Sequence, residues 1–322
     1  MTHISKESLK PFFSVIIPVY NKEKFVSRAI ESVLEQEFSN FELIVVCDPS
    51  TDNSDAEVAL FKDDRLRVFH RQQPGPGGYA ARNMGIQNAR ADWVCFLDAD
   101  DEWLPTHLLT SKKIIDGHSD IQFISHNYAT VGYSNTQGVF EKPKFELGRS
   151  GVFTREEVLK ILARKEVFLT DGVVIKKEVV VNSGMFPDGK TKRAGDVDLF
   201  LKVLMNVESM YISDVVTCRY HLEASGVVKD VNNTGNTHPV TVTIKALVDE
   251  VENRSIKKYL MIFSNRKALG WSMQRKMKGA FDYSEFKNFF YSQFSFLQWV
   301  RALFLLMPNG VVDIYKKVLG RV

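Results

Sequence analysis

With 322 residues, 44% of them hydrophobic and 25% charged, the chain is long enough for a buried core and has the composition of an ordinary globular protein of one or two domains. A formal net charge of +3, with no basic run interleaved by aromatics, excludes nucleic acid as the expected partner. The N-terminal stretch MTHISKESLKPFF lacks the apolar core and cleavage site of a secretory signal, so a cytoplasmic protein is expected. Cys47, Cys95 and Cys218 lie in strand-like runs without paired or metal-ligand spacing, and buried free thiols are expected.

Ser14–Tyr20, SVIIPVY, reads as a buried strand. Asn21 is then placed to cap a helix over residues 22–37, whose apolar positions Phe25, Ala29, Ile30, Val33 and Leu34 recur at helical spacing. Phe41–Cys47, FELIVVC, is a second buried strand ending in Asp48, and strand, helix, strand at this spacing makes a βαβ unit with a parallel pair. Leu66–His70 is a third short strand. Arg71–Gly78, RQQPGPGG, is too rich in Gly and Pro to be regular, and Tyr79–Ala89 returns to helix.

In the stretch from Trp93 to Trp103, WVCFLDADDEW, an apolar strand runs into three carboxylates. Alternation along an extended chain puts Asp98 and Asp100 on one side and Asp101 on the other. Three acids in four residues call for a divalent metal, a basic partner or solvent; the other reading is a turn and helix cap ahead of Pro105. Ligands of open α/β sheets gather outside the carboxyl ends of the strands. Tyr20, Asp48 and the Asp98–Asp101 group all fall at such ends, so one shared site is expected.

Together, FSVIIPVYNKEKFVSRAIESVLEQEFSNFELIVVCDPSTDNS and GGYAARNMGIQNARADWVCFLDADDEW resemble the nucleotide-sugar half of family 2 glycosyltransferases. The likeness continues more weakly through SGMFPDGKTKRAGDVDLFLKV and CRYHLEAS. It implies the GT-A fold: an α/β, Rossmann-like, mostly parallel mixed sheet flanked by helices. From about His238 long helical patterns replace the strand–helix alternation, with polar Val231–Gly235 as linker. The expected division is a catalytic domain over residues 1–226 and a helical C-terminal region over residues 227–322.

The resemblance also assigns roles. The donor would be a nucleotide diphosphate sugar, most often a uridine one, with Pro18, Tyr20, Asp48, Arg82, Asp98 and Ala99 around it. A carboxylate at Asp48 accepts the imide proton of a uracil, and the Tyr20 ring lies against the base; Cys47 stands where the family often has a second acid. Asp98 and Asp100 match the family's Asp-x-Asp, whose second acid commonly binds Mn2+ or Mg2+ bridged to the diphosphate. His221, in CRYH, resembles a position that approaches the metal, and reads equally as structural. Arg82 would reach the diphosphate or lie on a solvated helix face, and Lys192 and Arg193 would meet phosphate or simply be surface charge. Asp101 would orient water or sugar, or cap a helix, and Asp171 would line the acceptor cleft.

Asp196 is the candidate catalytic base, taking the proton of the attacking acceptor hydroxyl. Gly195 replaces the family's Glu there, while Asp198 and Leu199 keep the rest; Asp196 is also well placed to cap the helix that follows. The function implied is inverting, metal-dependent sugar transfer to a hydroxyl of a glycan or lipid-linked glycan, in synthesis of a surface polysaccharide such as lipopolysaccharide. Two rivals remain. One is a sugar-nucleotide binder without transfer, which Gly195 keeps open. The other is an Asp-x-Asp phosphotransferase, although that class places Thr four residues after the first Asp, where this chain has Glu102.

The tail leaves three readings. SFLQWVRALFLLM, residues 295–307, is too short and too interrupted by Arg301 to span a bilayer. Val311, Ile314, Tyr315 and Val318 form one apolar face, with Lys316, Lys317 and Arg321 elsewhere. Such helices lie on a membrane surface, dock a partner, or pack on the catalytic domain. The sequence sets no oligomeric state.

Overall fold

Strands and helices alternate through the first hundred residues, as the change of apolar period requires. The computed structural model describes residues 10–134, 138–222, 235–308 and 310–312. In chain order β1 (Phe13–Val19), α1 (Val26–Leu34), β2 (Phe41–Cys47), α2 (Ser54–Ala59), β3 (Leu66–His70), α3 (Tyr79–Asn88) and β4 (Trp93–Phe96) build the first half of the sheet. There follow β5 (Glu102–Trp103), α4 (His107–Gly117), β6 (Phe123–Ser134), β7 (Gly138–Pro143), β8 (Gly151–Thr154) and α5 (Arg155–Leu162). Next come β9 (Val173–Lys176), α6 (Lys177–Asn182), α7 (Gly195–Met205) and β10 (Ser209–His221), and last α8 (Pro239–Glu250), α9 (Arg254–Met277) and α10 (Phe296–Leu306).

One curled sheet takes in all ten strands, in the order β3-β2-β1-β4-β9-β6-β10-β5, with β7 added beside β6 and β8 beside β10. The β3-β2-β1-β4 pairs and the β6–β10 pair are parallel; β9 runs antiparallel to both β4 and β6. The chain crosses from one side of β1 to the other between β2 and β4, which opens a crevice at their carboxyl ends.

Both faces of β1 are covered, so its side chains are apolar without alternation. Val15 and Ile17 meet Ala29, Ile30 and Val33 of α1, while Ile16 belongs to the opposite core with Ile86 of α3. Gly85 of α3 lies against β1 so closely that a Cβ there would sit 2.5 Å from Ile16 Cγ2. All three cysteines are buried and free.

Two expectations are corrected. The first helix runs over Val26–Leu34 rather than residues 22–37, and its N-cap position is Phe25, not Asn21. Asn21 has a positive φ of 50°, a conformation Asn tolerates, and its Oδ1 accepts the Thr51 N–H at 2.8 Å. The side chain that would have capped a helix instead ties the β1 tip to the loop after β2.

The C-terminal helices share the main core: Val240 and Ile244 of α8 and Leu260 and Phe263 of α9 join the cluster that contains Phe200 and Leu204 of α7. Asp198 of α7 binds Lys202 at 2.6 Å and also takes the Thr243 hydroxyl of α8. A second small core is formed by Ala268 and Leu269 of α9, Phe289, and Ala302 and Leu305 of α10. The expected boundary at residue 226 and the linker residues 231–234 lie outside the described residues, as do Ile314, Tyr315, Lys316, Lys317, Val318 and Arg321. Among the described residues no helix is long and apolar enough to cross a membrane.

The close approach of α3 to β1 can be measured directly. Gly85→Ala should lose about 1–3 kcal/mol in urea unfolding, the usual cost of overpacking; an unchanged midpoint would mean the helix can move off the strand freely.

Candidate active site

At the carboxyl ends of β1, β2 and β4 lies a cleft of about 600 Å³. Ten of the residues picked from the sequence line it: Pro18, Tyr20, Asp48, Arg82, Asp98, Ala99, Asp100, Lys192, Arg193 and Asp196. Asp101, Asp171 and His221 do not.

Three of the four acids on the cleft wall, Asp48, Asp98 and Asp100, are each met by a base from a different element. Asp48 is 2% exposed; its Oδ1 takes Arg71 Nη1 at 2.5 Å and its Oδ2 takes the Gly75 N–H at 3.0 Å. Asp98 pairs with Arg82, which also donates to the Gly77 carbonyl at 2.8 Å. Arg82 is 6% exposed rather than on a solvated helix face, and the carboxylate of Asp98 keeps its guanidinium above its ordinary range despite burial. Asp100 pairs with Lys22 Nζ at 2.5 Å; burial, then the neighbouring Asp98 charge, raises its carboxyl against the pull of Lys22. Tyr20, 47% exposed, stands at the open edge.

Asp98 and Asp100 line the cleft and Asp101 does not, the grouping expected, but strand alternation is not its cause. β4 ends at Phe96, and residues 98–101 form a turn closed by the Asp101 N–H on the Asp98 carbonyl at 3.0 Å. Strand alternation stops with the strand. The turn draws Asp101 beneath the cleft, where its carboxylate meets those of Asp98 and Asp171, all with oxygens within 4.8 Å of one another. Asp101 caps no helix either: its Oδ1 accepts the His221 N–H at 2.7 Å, and α4 begins after Thr106.

Contacts from Asp101 and Asp171 to phosphate or acceptor are likewise corrected, because their side chains are 1% and 0% exposed. Asp171 Oδ1 accepts the Asp98 N–H at 2.7 Å, and its backbone carbonyl accepts the Trp103 indole N–H at 2.8 Å. Asp171 therefore sets the backbone that presents Asp98. Its Oδ2 is buried with no hydrogen-bond donor in reach. Burial, then the Asp171 charge at Asp101 and the Asp98 charge at Asp171, pushes both carboxyls well above the ordinary range. His221 is held by Glu102, whose Oε1 lies 3.1 Å from its Nε2, and stays outside the carboxylate group.

The donor set suits a hard divalent cation, since every ligand atom gathered here is a carboxylate oxygen. Of that group only Asp98 faces the cleft; Asp100, which is not part of the group, lines it too.

Across the cleft, Asp196 sits in the first turn of α7. The N-cap of that helix is Ala194, held at φ 63°, so Asp196 is not the cap. A left-handed alanine costs of order 1–2 kcal/mol, and such strain gathers at sites where geometry matters. Asp196 is half-buried, and burial raises its carboxyl although the Val197 N–H and Arg82 pull it down. Loss of water outweighs the helix end here, which favours a base.

Gly195 has a local cause. A Cβ there would lie 2.7 Å from Pro187 and 2.8 Å from the Tyr79 ring, and the Tyr79 hydroxyl accepts the Gly195 N–H at 2.8 Å. Tyr79 stacks on Phe186 at 5.8 Å, and Phe186 is tied to α3 by both backbone bonds to Asn83, each 3.0 Å. Burial, with the nearby Asp196 charge, pushes the Tyr79 phenol up, so it stays protonated. The tyrosine occupies the room a larger residue at 195 would need.

Sequence reasoning missed Lys22, Tyr79 and Thr170 as cleft residues. Lys22 follows a strand tip by three residues, a signal that was available. Tyr79 was hidden by an Ala-rich helical pattern that explains it as core.

This curled mixed sheet with helices on both sides is the GT-A glycosyltransferase fold. It superposes on Staphylococcus aureus TarS 1–349 in complex with UDP-GlcNAc with TM-score 0.67 at 22% identity, over 86% of this chain and 78% of that one. It also superposes on the mannosyltransferase PcManGT from Pyrobaculum calidifontis in complex with GDP-Man and Mn2+, with TM-score 0.56 at 16% identity, over 98% and 89%. Residues 14–160 match the glycosyl transferase family 2 model. Similar sequences include a glycosyltransferase of Rickettsia felis, 40% identical over 143 residues and 44% of this chain. Another is the Escherichia coli UDP-Glc:alpha-D-GlcNAc-diphosphoundecaprenol beta-1,3-glucosyltransferase WfgD, 33% identical over 131 residues and 41% of this chain. The matched part spans 22% of the length of the first and 51% of the second.

If Tyr79 is the reason for Gly195, their substitutions are coupled. Gly195→Ala should cost about 1–3 kcal/mol in the wild-type chain and much less in a Tyr79→Ala background. Simple additivity in urea unfolding would disconnect the two.

Proposed function

We propose that the protein transfers a sugar, with inversion, from a nucleotide diphosphate sugar of the uridine class to a hydroxyl of a glycan or lipid-linked glycan. The observation that carries this reading is one cleft that takes in Asp48 and Tyr20 at the tips of β2 and β1, Asp98 and Asp100 after β4, and Asp196 on α7. A base, a pyrophosphate and a sugar need such a sequence of groups. The residues up to 226 would carry this chemistry, and the helices beyond would back it.

In this reading Tyr20 stacks on the base and Asp48 accepts its imide proton. Its two carboxylate oxygens retain lone pairs beyond those used by Arg71 and Gly75. Pro18 and Ala99 wall the nucleoside. Arg82, Lys192 and Arg193 bring positive charge to the diphosphate. Asp98 and Asp100 would hold Mn2+ or Mg2+, and that ion would supply neutralisation of charge on the departing diphosphate. Asp101 and Asp171 hold the turn from below, and His221 contributes through the backbone bond that anchors Asp101. The acceptor hydroxyl gives its proton to the Asp196 carboxylate as its oxygen attacks the anomeric carbon. The bond from that carbon to the diphosphate oxygen breaks, and the nucleoside diphosphate leaves.

Support for the donor class and the ion comes from the fold: TarS binds UDP-GlcNAc, and PcManGT binds GDP-Man with Mn2+. The E. coli relative's diphosphoundecaprenol acceptor favours a lipid-linked glycan of a surface polysaccharide. The rival Asp-x-Asp phosphotransferase would need an attacking carboxylate open to solvent, whereas Asp98 is engaged by Arg82.

Asp196→Asn should leave donor binding, read by thermal shift with UDP-sugars and Mn2+, within about twofold while transfer falls by about 10²-fold or more; unimpaired transfer would point to another base. Because the raised Asp196 carboxyl must be ionised to act, turnover should fall as pH drops through a value above that of an exposed aspartate. An acid limb at the ordinary aspartate position would speak against Asp196. Asp100→Asn should remove the stimulation by Mn2+ and the thermal shift it brings, and retention of both would end the metal role.

A further inference from the structure

We propose that the outer face of α10 docks on a lipid bilayer carrying anionic headgroups. The inference goes beyond the sugar-transfer reading and does not depend on it.

α10 is apolar on two opposite sides. Ala302 and Leu305 close the small core against Ala268 and Leu269 of α9. The other side carries Phe296, Trp299, Val300, Leu303 and Met307, a line at helical spacing. All five are exposed, Phe296 at 84% and Leu303 at 59%. A surface helix normally turns a polar face to water, and a contiguous exposed patch of this kind marks an interaction surface.

Charge chooses the occupant. Residues 254–322 contain thirteen Lys and Arg but three Asp and Glu, in a chain that has 42 and 39 overall. Arg301 is exposed on the flank of α10, and Lys278 and Lys287 are exposed in segments that fold against the same small core. An apolar stripe with an aromatic pair and a basic rim is the pattern of a helix lying in the headgroup layer. Trp299 stacks on Tyr291 at 5.6 Å, which puts two amphipathic rings at the level where such rings settle. A second copy fits poorly, because an isologous contact would set Arg301 and its neighbours against themselves.

The face is also near the chemistry. Arg193 of the cleft lies over Trp271 of α9 at 5.5 Å and donates to Gln274 at 3.3 Å. One helix thus separates the cleft wall from the docking face, a placement suited to an acceptor held by a lipid.

The full chain should co-sediment with vesicles of phosphatidylcholine and phosphatidylglycerol, and far less with phosphatidylcholine alone. Trp93, Trp103 and Trp271 are buried, so a blue shift of tryptophan emission on vesicle addition reports on Trp299 without any substitution. Phe296→Ser with Leu303→Ser should weaken binding by about tenfold or more with unfolding unchanged, and Arg301→Gln should weaken it and flatten its salt dependence. No sedimentation and no blue shift would overturn the proposal. So would variants that bind as wild type, or a dimer in solution that Leu303→Ser dissociates.

Discussion

Carboxylates gathered at the tips of parallel strands have to be neutralised, and the architecture of the cleft follows from how this is done. A buried, unpaired carboxylate costs several kcal/mol, more than a domain of this kind can readily spare. Here Arg71, Arg82 and Lys22, from three separate elements, each meet one acid. Pairing holds the loop after β3, the helix α3 and the turn after β1 in register around one space. Among the described residues Asp101 and Asp171 meet no such base, and burial raises both carboxyls well above the ordinary range. A polyanionic ligand entering this space would meet bases already positioned by the acids they neutralise.

The opposite wall obeys packing more than charge. Tyr79 is clamped between Phe186 and the N-terminus of α7, where its hydroxyl accepts the Gly195 N–H next to Asp196. A residue in α3 and a residue more than a hundred positions away are thereby one unit. The same wall is backed by α8 and α9, since Asp198 reaches Thr243 and Arg193 reaches Trp271. The C-terminal helices are thus part of the support of the candidate base.

Much of this was legible from residue pattern. Mostly apolar runs at β1, β2 and β4 imply strands covered on both faces, and the 3.6-residue spacing of Ala29, Ile30 and Val33 implies the helix between the first two. Asp48 and Asp98 fall at strand ends and so converge wherever the sheet is parallel. After Phe96 a turn rather than the pleat decides which acids face the cleft, because side-chain direction follows the pleat only while the pleat lasts. Asn21 misled: a good cap residue was engaged by a distant loop instead.

Sequence by itself determined the βαβ half of the sheet, the acids at its tips and the aspartate leading α7, because each depends on local periodicity or on a residue type at an element's end. Tertiary structure decided which charges pair, that Asp171 lies beneath Asp98, and that Tyr79 dictates Gly195. Those are contacts between segments far apart in the chain, set by how two cores close around one sheet, and no local pattern encodes them.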